Sequence, residues 1–399
     1  MAEPAERLRE AYRLHSRAAH TAQPAQTALF ASPRPMTQRV YNFTPGPAML
    51  PLPVMQRIHE EFFDFQGLGA SVIEISHRSP EFEKLLFETE DLVKELLELP
   101  KNYKVLFCHG GGQMQFSMVP LNLMGLKPSR KAQVVESGNF SERAIEEAQR
   151  YGTVEIVATS RGTRYDRIPP FDPARIDPAA SYFHITTNNT IMGTSWQTFP
   201  DTDGVPLVGD MTSEILSRVV DMTKFAAVYA GAQKNLAPAG LALVLIREDL
   251  LGHADPLTPK LLNYTQLAKD RSLTNTVNTF SIYVARLMLE WLKNLGGVPA
   301  IEAVNRKKAA RVYRALDDSK GFYRPHAQKD SRSLMNVTFT LPSDELQKKF
   351  LADGLARGLY GLKGHARLGG IRASLYNGMP MEGCEALATF MDDFCRKNG

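Results

Sequence analysis

Lys234 lies in the segment Ala230–Asn235, between apolar runs at 225–229 and 241–246 that are typical of buried strands. Burial lowers the pKa of a lysine because apolar surroundings disfavour the ammonium ion, and Schiff-base chemistry needs the neutral amine. The neighbouring Gly and Ala residues leave room for a planar ring. The pattern favours a Schiff-base lysine, whereas a lysine considered alone would suggest an exposed turn.

Two further features supply what pyridoxal phosphate requires. Asp210 follows the apolar run Val205–Gly209, at the predicted carboxyl end of a strand, where ligands of α/β sheets commonly bind. Its carboxylate could pair with a pyridinium nitrogen, although without Lys234 a turn or capping aspartate explains it equally well. Gly110–Gly112 separates a predicted strand from a predicted helix, whose free N-terminal amides favour an anion. These glycines match neither GxxxxGK[ST] nor GxGxxG, which argues against a nucleotide fold.

The elements that must position these residues alternate between strand-like and helix-like patterns from Tyr41 onward, which predicts an α/β fold with a mainly parallel sheet. Helices are predicted over 80–98, 113–123, 282–295, 300–316 and 343–357 and from 381, and strands over 103–108, 205–209, 225–229, 241–246, 333–341 and 369–374. A Gly-Gly-Val-Pro break at 296–299 predicts a large domain at 41–296 and a smaller α+β domain at 297–399.

Composition and charge exclude several classes of protein. The net charge is +4, of which residues 1–40 carry +3, so the remaining chain lacks the basic excess of a nucleic-acid scaffold. The 3 cysteines show no metal-ligand spacing, and no apolar run could cross a membrane, so we expect a cytoplasmic protein without metal. Residues 1–40 are expected to form a mobile extension. Two interpretations of residues 1–35 are open, an organelle transit peptide and a dispensable leader that ends before Met36. The leader is favoured, because Glu3, Glu6 and Glu10 are unusual in a transit peptide.

Eight separated stretches form a specific set in this order: Asn42–Ala48, Glu74–Ser79, Gly110–Phe116 with Pro120–Leu123, Asn189–Ile191 with Gly193, Leu216–Arg218, Tyr229–Asn235 with Pro238–Gly240, Asn275–Thr276, and Gly369–Asn377. Over about residues 40–399 the chain resembles the phosphoserine aminotransferase family of class V aminotransferases. The resemblance implies a fold-type I enzyme dependent on pyridoxal 5'-phosphate, acting as a homodimer with active sites shared between subunits.

Cofactor roles follow from the resemblance, motif by motif. It implies that Lys234 is the catalytic Schiff-base lysine and that Asp210 binds the pyridine nitrogen. The remaining cofactor-binding positions are Gly112, Gln113 and Gln233 at the phosphate, Asn275 and Thr276 at the same phosphate from the second subunit, Thr190 at the phenolic oxygen, and Phe140 against the ring. The family usually has Trp where this chain has Phe140, so the stacking area is reduced.

The resemblance also implies how the substrate is held. Arg372 would bind the α-carboxylate, and His77 and Arg78 would reach the substrate phosphate from the neighbouring subunit. His365 belongs to a Gly-His-Arg motif that departs from the family, because the arginine position is Ala366 and Arg367 follows it. Arg367 would face away from the substrate in a strand, whereas in an irregular loop it could replace the missing arginine. A second departure puts Val277-Asn278 where the family commonly has two prolines, so this interface loop is expected to be less rigid.

The favoured function is transamination between L-glutamate and 3-phosphohydroxypyruvate, giving 2-oxoglutarate and O-phospho-L-serine in serine biosynthesis. The related step that forms 4-phosphohydroxythreonine for pyridoxine is a further expectation. The alternatives are a pyridoxal phosphate-binding protein with weak turnover, and a class V aminotransferase with a different substrate. The expected partners are therefore these small molecules and a second copy of the chain, with no nucleic acid or membrane.

Overall fold

The computed structural model describes residues 39–399, so the predicted extension at 1–40 falls almost entirely outside the described residues. The strands are β1 (Tyr41–Asn42), β2 (Tyr103–His109), β3 (Lys131–Glu136), β4 (Thr153–Thr159), β5 (Tyr182–Thr186), β6 (Asn188–Asn189), β7 (Thr194–Ser195), β8 (Leu207–Asp210), β9 (Ala227–Gly231), β10 (Leu241–Arg247), β11 (Arg324–Pro325), β12 (Asn336–Thr340), β13 (Leu359–Tyr360) and β14 (Ile371–Ser374). The α-helices are α1 (Leu52–Glu61), α2 (Pro80–Leu96), α3 (Gly111–Leu123), α4 (Asn139–Ala148), α5 (Tyr264–Lys269), α6 (Thr279–Asn294), α7 (Gly297–Asp317), α8 (Asp344–Ala356) and α9 (Met381–Asn398).

The central sheet has 7 strands in the order β2-β10-β9-β8-β5-β3-β4. Strand β10 pairs antiparallel with both of its neighbours, and the other pairs are parallel. The carboxyl ends of β2, β3, β5, β8 and β9 therefore meet at one edge of the sheet. In open α/β sheets this edge is where ligands bind.

Side chains that alternate along β10 enter two different cores, because successive residues of a strand point to opposite faces. Leu241, Leu243 and Leu245 pack on one face, with helices α2 and α6. Ala242 and Val244 pack on the other, with helix α3. The sheet is thus covered on both faces, which explains why its strands are continuous apolar runs.

A third core lies in the C-terminal part of the chain, where β11, β12 and β14 form a 3-stranded sheet packed with α7, α8 and α9. Phe43 and Met49 join this core, and β1 pairs in parallel with β13. The predicted division of residues 41–399 at position 296 stays a prediction.

Most of the predicted elements are confirmed to within a few residues, among them α2, β2, β10 and α9. Helix α7 begins at Gly297, earlier than the predicted residue 300, because Pro299 is tolerated in the first turn of a helix, where an amide has no partner within the helix. Strands β3, β4 and β5 had no clear pattern in the sequence. Among the described helices, none combines the length and apolar character needed to cross a membrane.

Candidate active site

A cavity of about 240 Å³ opens at the carboxyl edge of the central sheet. The predicted site residues that line it are Gly112, Gln113, Phe140, Thr190, Asp210, Gln233, Lys234, His365 and Arg372. The predicted site residues outside its lining are His77, Arg78, Asn275, Thr276 and Arg367. The predicted residues that line the cavity of one chain are therefore those expected from the same subunit, apart from Arg367. The residues expected from a second subunit, His77, Arg78, Asn275 and Thr276, lie outside the lining of that cavity.

Lys234 follows β9 and is only 7% exposed. Its Nζ donates a hydrogen bond to Thr190 Oγ1 at 2.5 Å and lies 5.6 Å from the centre of the Phe140 ring. Burial lowers the pKa of Lys234 to about 7, against an upward effect of Asp210 and a further downward effect of Arg372. The amine is therefore neutral in a large share of molecules near neutral pH, as covalent capture of an aldehyde requires.

Asp210 is the last residue of β8 and is 5% exposed. Burial raises the pKa of its carboxyl, while hydrogen bonds from Thr212 and the charge of Lys234 act in the opposite direction. The amide of Thr212 donates to Asp210 Oδ1 at 3.0 Å, which fixes the orientation of the carboxylate. A buried carboxylate held in this way favours a cationic ring nitrogen as its ligand.

Two glycines allow the backbone to close around this part of the cavity. A Cβ on Gly112 would lie 2.8 Å from Thr212 Oγ1, and a Cβ on Gly231 would lie 2.9 Å from the amide nitrogen of Gly112. Helix α3 begins beside them, after Gly110 with φ 84°, so its free amides are available for an anion. Among the described residues, the buried Oε1 of Gln233 has no hydrogen-bond partner, which leaves another polar atom available at the site.

Arg372 extends from β14 and is 6% exposed. Its Nε is buried without a hydrogen-bond partner, and no carboxylate of the described residues forms an ion pair with the guanidinium. Burial lowers the pKa of Arg372 from its ordinary value. A buried and unpaired guanidinium is costly, so the geometry suits an anionic ligand such as a carboxylate.

The loop after β13 turns at His365, whose carbonyl accepts hydrogen bonds from the amides of Leu368 and Gly369. This turn sends Arg367 to helix α4, where its Nη2 donates to Glu142 Oε1 at 2.6 Å. Burial tends to raise the pKa of Glu142, but hydrogen bonds from Arg367 and Tyr165 outweigh it and lower the pKa. In this structure the Arg367 guanidinium binds a carboxylate beside the cavity, and its role toward substrate stays a prediction.

Several cavity residues were not predicted from the sequence. They are Pro45, Gly46, Phe116, Asn139, Arg143, Asn188, Ile191, Thr212 and Ser213. Ser213 accepts a hydrogen bond from Thr190, which in turn accepts one from Lys234, so it belongs to the support of the lysine. Arg143 could have been found from its spacing, because residues three apart on a helix share a face and Phe140 was already assigned to the cavity. The described residues contain no cluster of side chains suited to a metal ion.

Comparisons with known proteins agree with this geometry. The family model of class V aminotransferases matches residues 40–387. The phosphoserine aminotransferase of Geobacillus kaustophilus is 50% identical over 360 residues, covering 90% of this chain and 99% of that protein. The enzyme of the same name from Herpetosiphon aurantiacus is 48% identical over 360 residues, with the same two coverages.

Solved structures give the same result. Phosphoserine aminotransferase from Bacillus circulans subsp. alkalophilus superposes with a TM-score of 0.88 at 44% identity, covering 91% of this chain and 100% of that chain. The pyridoxal phosphate-bound enzyme of the same name from Trichomonas vaginalis gives a TM-score of 0.84 at 34% identity, covering 88% and 99%. Because a family model matches most of the chain and these relatives are covered almost completely, the chain belongs to the class V aminotransferases and, among them, to the phosphoserine aminotransferases.

Proposed function

We propose that this protein is a phosphoserine transaminase that uses pyridoxal 5'-phosphate to move an amino group between L-glutamate and 3-phosphohydroxypyruvate, with O-phospho-L-serine and 2-oxoglutarate as products. The observation that carries the proposal is the cavity that places buried Lys234 and Asp210 in the same chamber as the unpaired guanidinium of Arg372. These groups meet the separate demands of an aldehyde, a ring nitrogen and an amino-acid carboxylate.

Pyridoxal phosphate fits the residues that line the cavity. Gly112, Gln113 and Gln233 would hold its phosphate at the start of α3, where a side chain on Gly112 or Gly231 would fill the space. Asp210 would hold the pyridine nitrogen, Phe140 would lie against the ring, and Thr190 would contact the phenolic oxygen. When bound, the cofactor supplies an aldehyde that captures amines and a ring that accepts the electron pair left by proton loss at the substrate α-carbon.

The chain's own residues would orient the substrate and move the proton. Lys234 Nζ is the base within reach of the cavity, and its lowered pKa lets it accept a proton near pH 7 and return it. Thr190 holds Nζ through the 2.5 Å hydrogen bond and restricts its position. Arg372 would bind the α-carboxylate of either amino acid, which places the α-carbon near Nζ.

The homodimer belongs to the same proposal. Five exposed large apolar side chains, Leu52, Met55, Phe63, Leu68 and Ile73, fall in the segment that precedes His77 and Arg78, and Phe63 is 80% exposed. A second copy of the chain that covers this segment would remove an unfavourable apolar surface and would bring His77 and Arg78 toward its neighbour's cavity. Asn275 and Thr276 would reach the cofactor phosphate in the same way. Serine biosynthesis in the cytoplasm is the cellular role that follows, and the 4-phosphohydroxythreonine step of pyridoxine synthesis is a related one.

Absorbance of the bound cofactor tests the function directly. The purified protein should show a visible cofactor band that is lost on adding L-glutamate and returns on adding 3-phosphohydroxypyruvate. A band that glutamate leaves unchanged would indicate a binding protein with weak turnover. A band that glyoxylate restores and 3-phosphohydroxypyruvate does not would indicate a class V aminotransferase with a different substrate.

Mixing two inactive variants tests the shared sites. Lys234→Ala and Arg78→Ala remove groups that would belong to the same site from different subunits, so co-refolded mixtures should regain part of the parent activity. A mixture as inactive as its components would contradict active sites shared between subunits.

A further inference from the structure

Basic side chains outnumber acidic ones in the lining of the cavity, although burial favours the neutral forms of Lys234 and His365. Its lining includes Arg143, Lys234, His365 and Arg372, and the single acidic side chain among the described lining residues is Asp210. Asp210 is buried at the end of β8, with its carboxylate fixed by Thr212. The charges of Arg143 and Arg372 are therefore left for a ligand.

Arg143 lies on helix α4, one turn after Phe140, and both side chains line the cavity. Arg143 is exposed, and no described carboxylate forms an ion pair with it. The next residue toward the N-terminus, Glu142, points to the other side and binds Arg367. Helix α4 thus binds Arg367, from the loop at 364–370, through Glu142. The same helix presents Arg143 to the cavity.

His365 is the residue that links the two cations. It lines the cavity with Arg143, and its Nδ1 accepts a hydrogen bond from the amide of Arg367 at 3.2 Å. Burial lowers the pKa of His365, and the charges of Arg372, Arg143 and Arg367 lower it further. Arg367 is paired with Glu142 and Arg372 suits the substrate carboxylate, so Arg143 is the lining guanidinium left for a phosphate.

We propose that Arg143 binds the phosphate group of the substrate, in place of the arginine that position 366 lacks. Arg367 is in this arrangement a positioning residue, which holds the loop carrying His365 against α4 through Glu142. This inference rests on the proposed function, because it assigns the phosphate of the same phosphoserine substrate. An arginine suits the role since its planar guanidinium can donate two parallel hydrogen bonds to phosphate oxygens.

Kinetics of the holoenzyme test the assignment with three variants. Arg143→Gln should raise the KM for O-phospho-L-serine about tenfold or more, because one charge-assisted contact is lost, and should raise the KM for L-glutamate less, because its side chain carries one negative charge. Arg143→Lys should lie between Arg143→Gln and the parent. Arg150→Gln is the matched control, since Arg150 follows the same helix, pairs with Glu147 at 3.3 Å and does not line the cavity.

Two further measurements separate the outcomes. Spectral titration with O-phospho-L-serine should give a Kd that is weaker in Arg143→Gln by the same factor, and Ala366→Arg in that variant should restore most of the loss. Equal KM and Kd values in the parent and Arg143→Gln would overturn the inference. A tenfold weaker Kd for pyridoxal phosphate in Arg143→Gln would also overturn it, because Arg143 would then act on the cofactor phosphate. A parent that does not turn over phosphoserine would instead overturn the proposed function.

Discussion

In one part of the cavity, Lys234 and Asp210 are 7% and 5% exposed and come directly from the ends of strands in the central sheet. In the other part, His365 and Arg143 are exposed and come from a turn and from the side of helix α4 that lines the cavity. Burial lowers the pKa of Lys234 and raises that of Asp210, and hydrogen bonds hold both side chains, so these groups determine the type of reaction. Our proposal moves the phosphate contact among the exposed groups, from position 366 to Arg143, so we expect the exposed groups to determine which substrate is held.

The largest expected effect concerns the buried part. Lys234→Ala removes both the amine and the base, so transamination should fall by at least about a thousandfold while the fold is retained. Steady-state turnover and circular dichroism would measure the two quantities. Near-normal turnover would remove Lys234 from the reaction.

Lys308 provides a matched comparison for that variant, because it is also fully buried but donates to the carbonyl oxygens of Leu375, Tyr376 and Met379. Lys308→Met should lower the Tm by several degrees, since three buried acceptors lose their donor, yet the cofactor band should remain. Loss of the band in Lys308→Met with an unchanged Tm would contradict a purely structural role.

The second effect concerns the carboxylate. Asp210→Asn should lower kcat by about a hundredfold or more with some cofactor still bound, because an amide cannot stabilise a protonated ring nitrogen. The measurements are kcat and the Kd for pyridoxal phosphate. A kcat equal to that of the parent would exclude Asp210 from the site.

The pKa of Lys234 gives a pH dependence of intermediate size. The folded-state pKa of about 7 lies below the ordinary lysine value, so deprotonation occurs as pH rises through 7. The neutral fraction then increases roughly tenfold between pH 6 and pH 8, and the apoenzyme should capture pyridoxal phosphate faster by about that factor and level off. Stopped-flow absorbance would measure the rate of pyridoxal phosphate capture at each pH. A rate that still rises tenfold per unit above pH 9 would indicate an unshifted lysine.

The smallest effect is expected in the exposed part. Arg367→Ala breaks an ion pair with Glu142 at a partly exposed site, so the KM for phosphoserine should change by about threefold or less. Glu142→Gln should give a similar change, since it breaks the same pair. A more than tenfold rise for Arg367→Ala alone would mean that Arg367 contacts the phosphate.

The same division decides what the sequence could predict. The sequence could predict Lys234, Asp210 and the glycines beside α3, because these residues adjoin buried strands that have a clear apolar pattern. The sequence could not predict which way the Arg367 side chain points, because this depends on the hydrogen bonds of the turn at His365. The one sequence signal that placed Arg143 at the cavity was its spacing of three residues from Phe140. Strands β3 and β5 were missed because the polar residues Gln133 and His184 occupy buried positions in them, and β4 was missed because Val157 is its one buried residue.

In the central sheet β10 is the strand that pairs antiparallel with both of its neighbours, and its position bears on how the protein is made. It lies between β2 and β9 in the sheet, yet residues 241–247 leave the ribosome long after residues 103–109. Until β10 inserts, β2 has no hydrogen-bonded neighbour in the central sheet, whereas the start of α3 can already contact Gly231 of β9. Pairing of β2 into the central sheet is therefore a late event of synthesis, and a chain stopped before residue 241 would leave β2 unpaired and prone to aggregation.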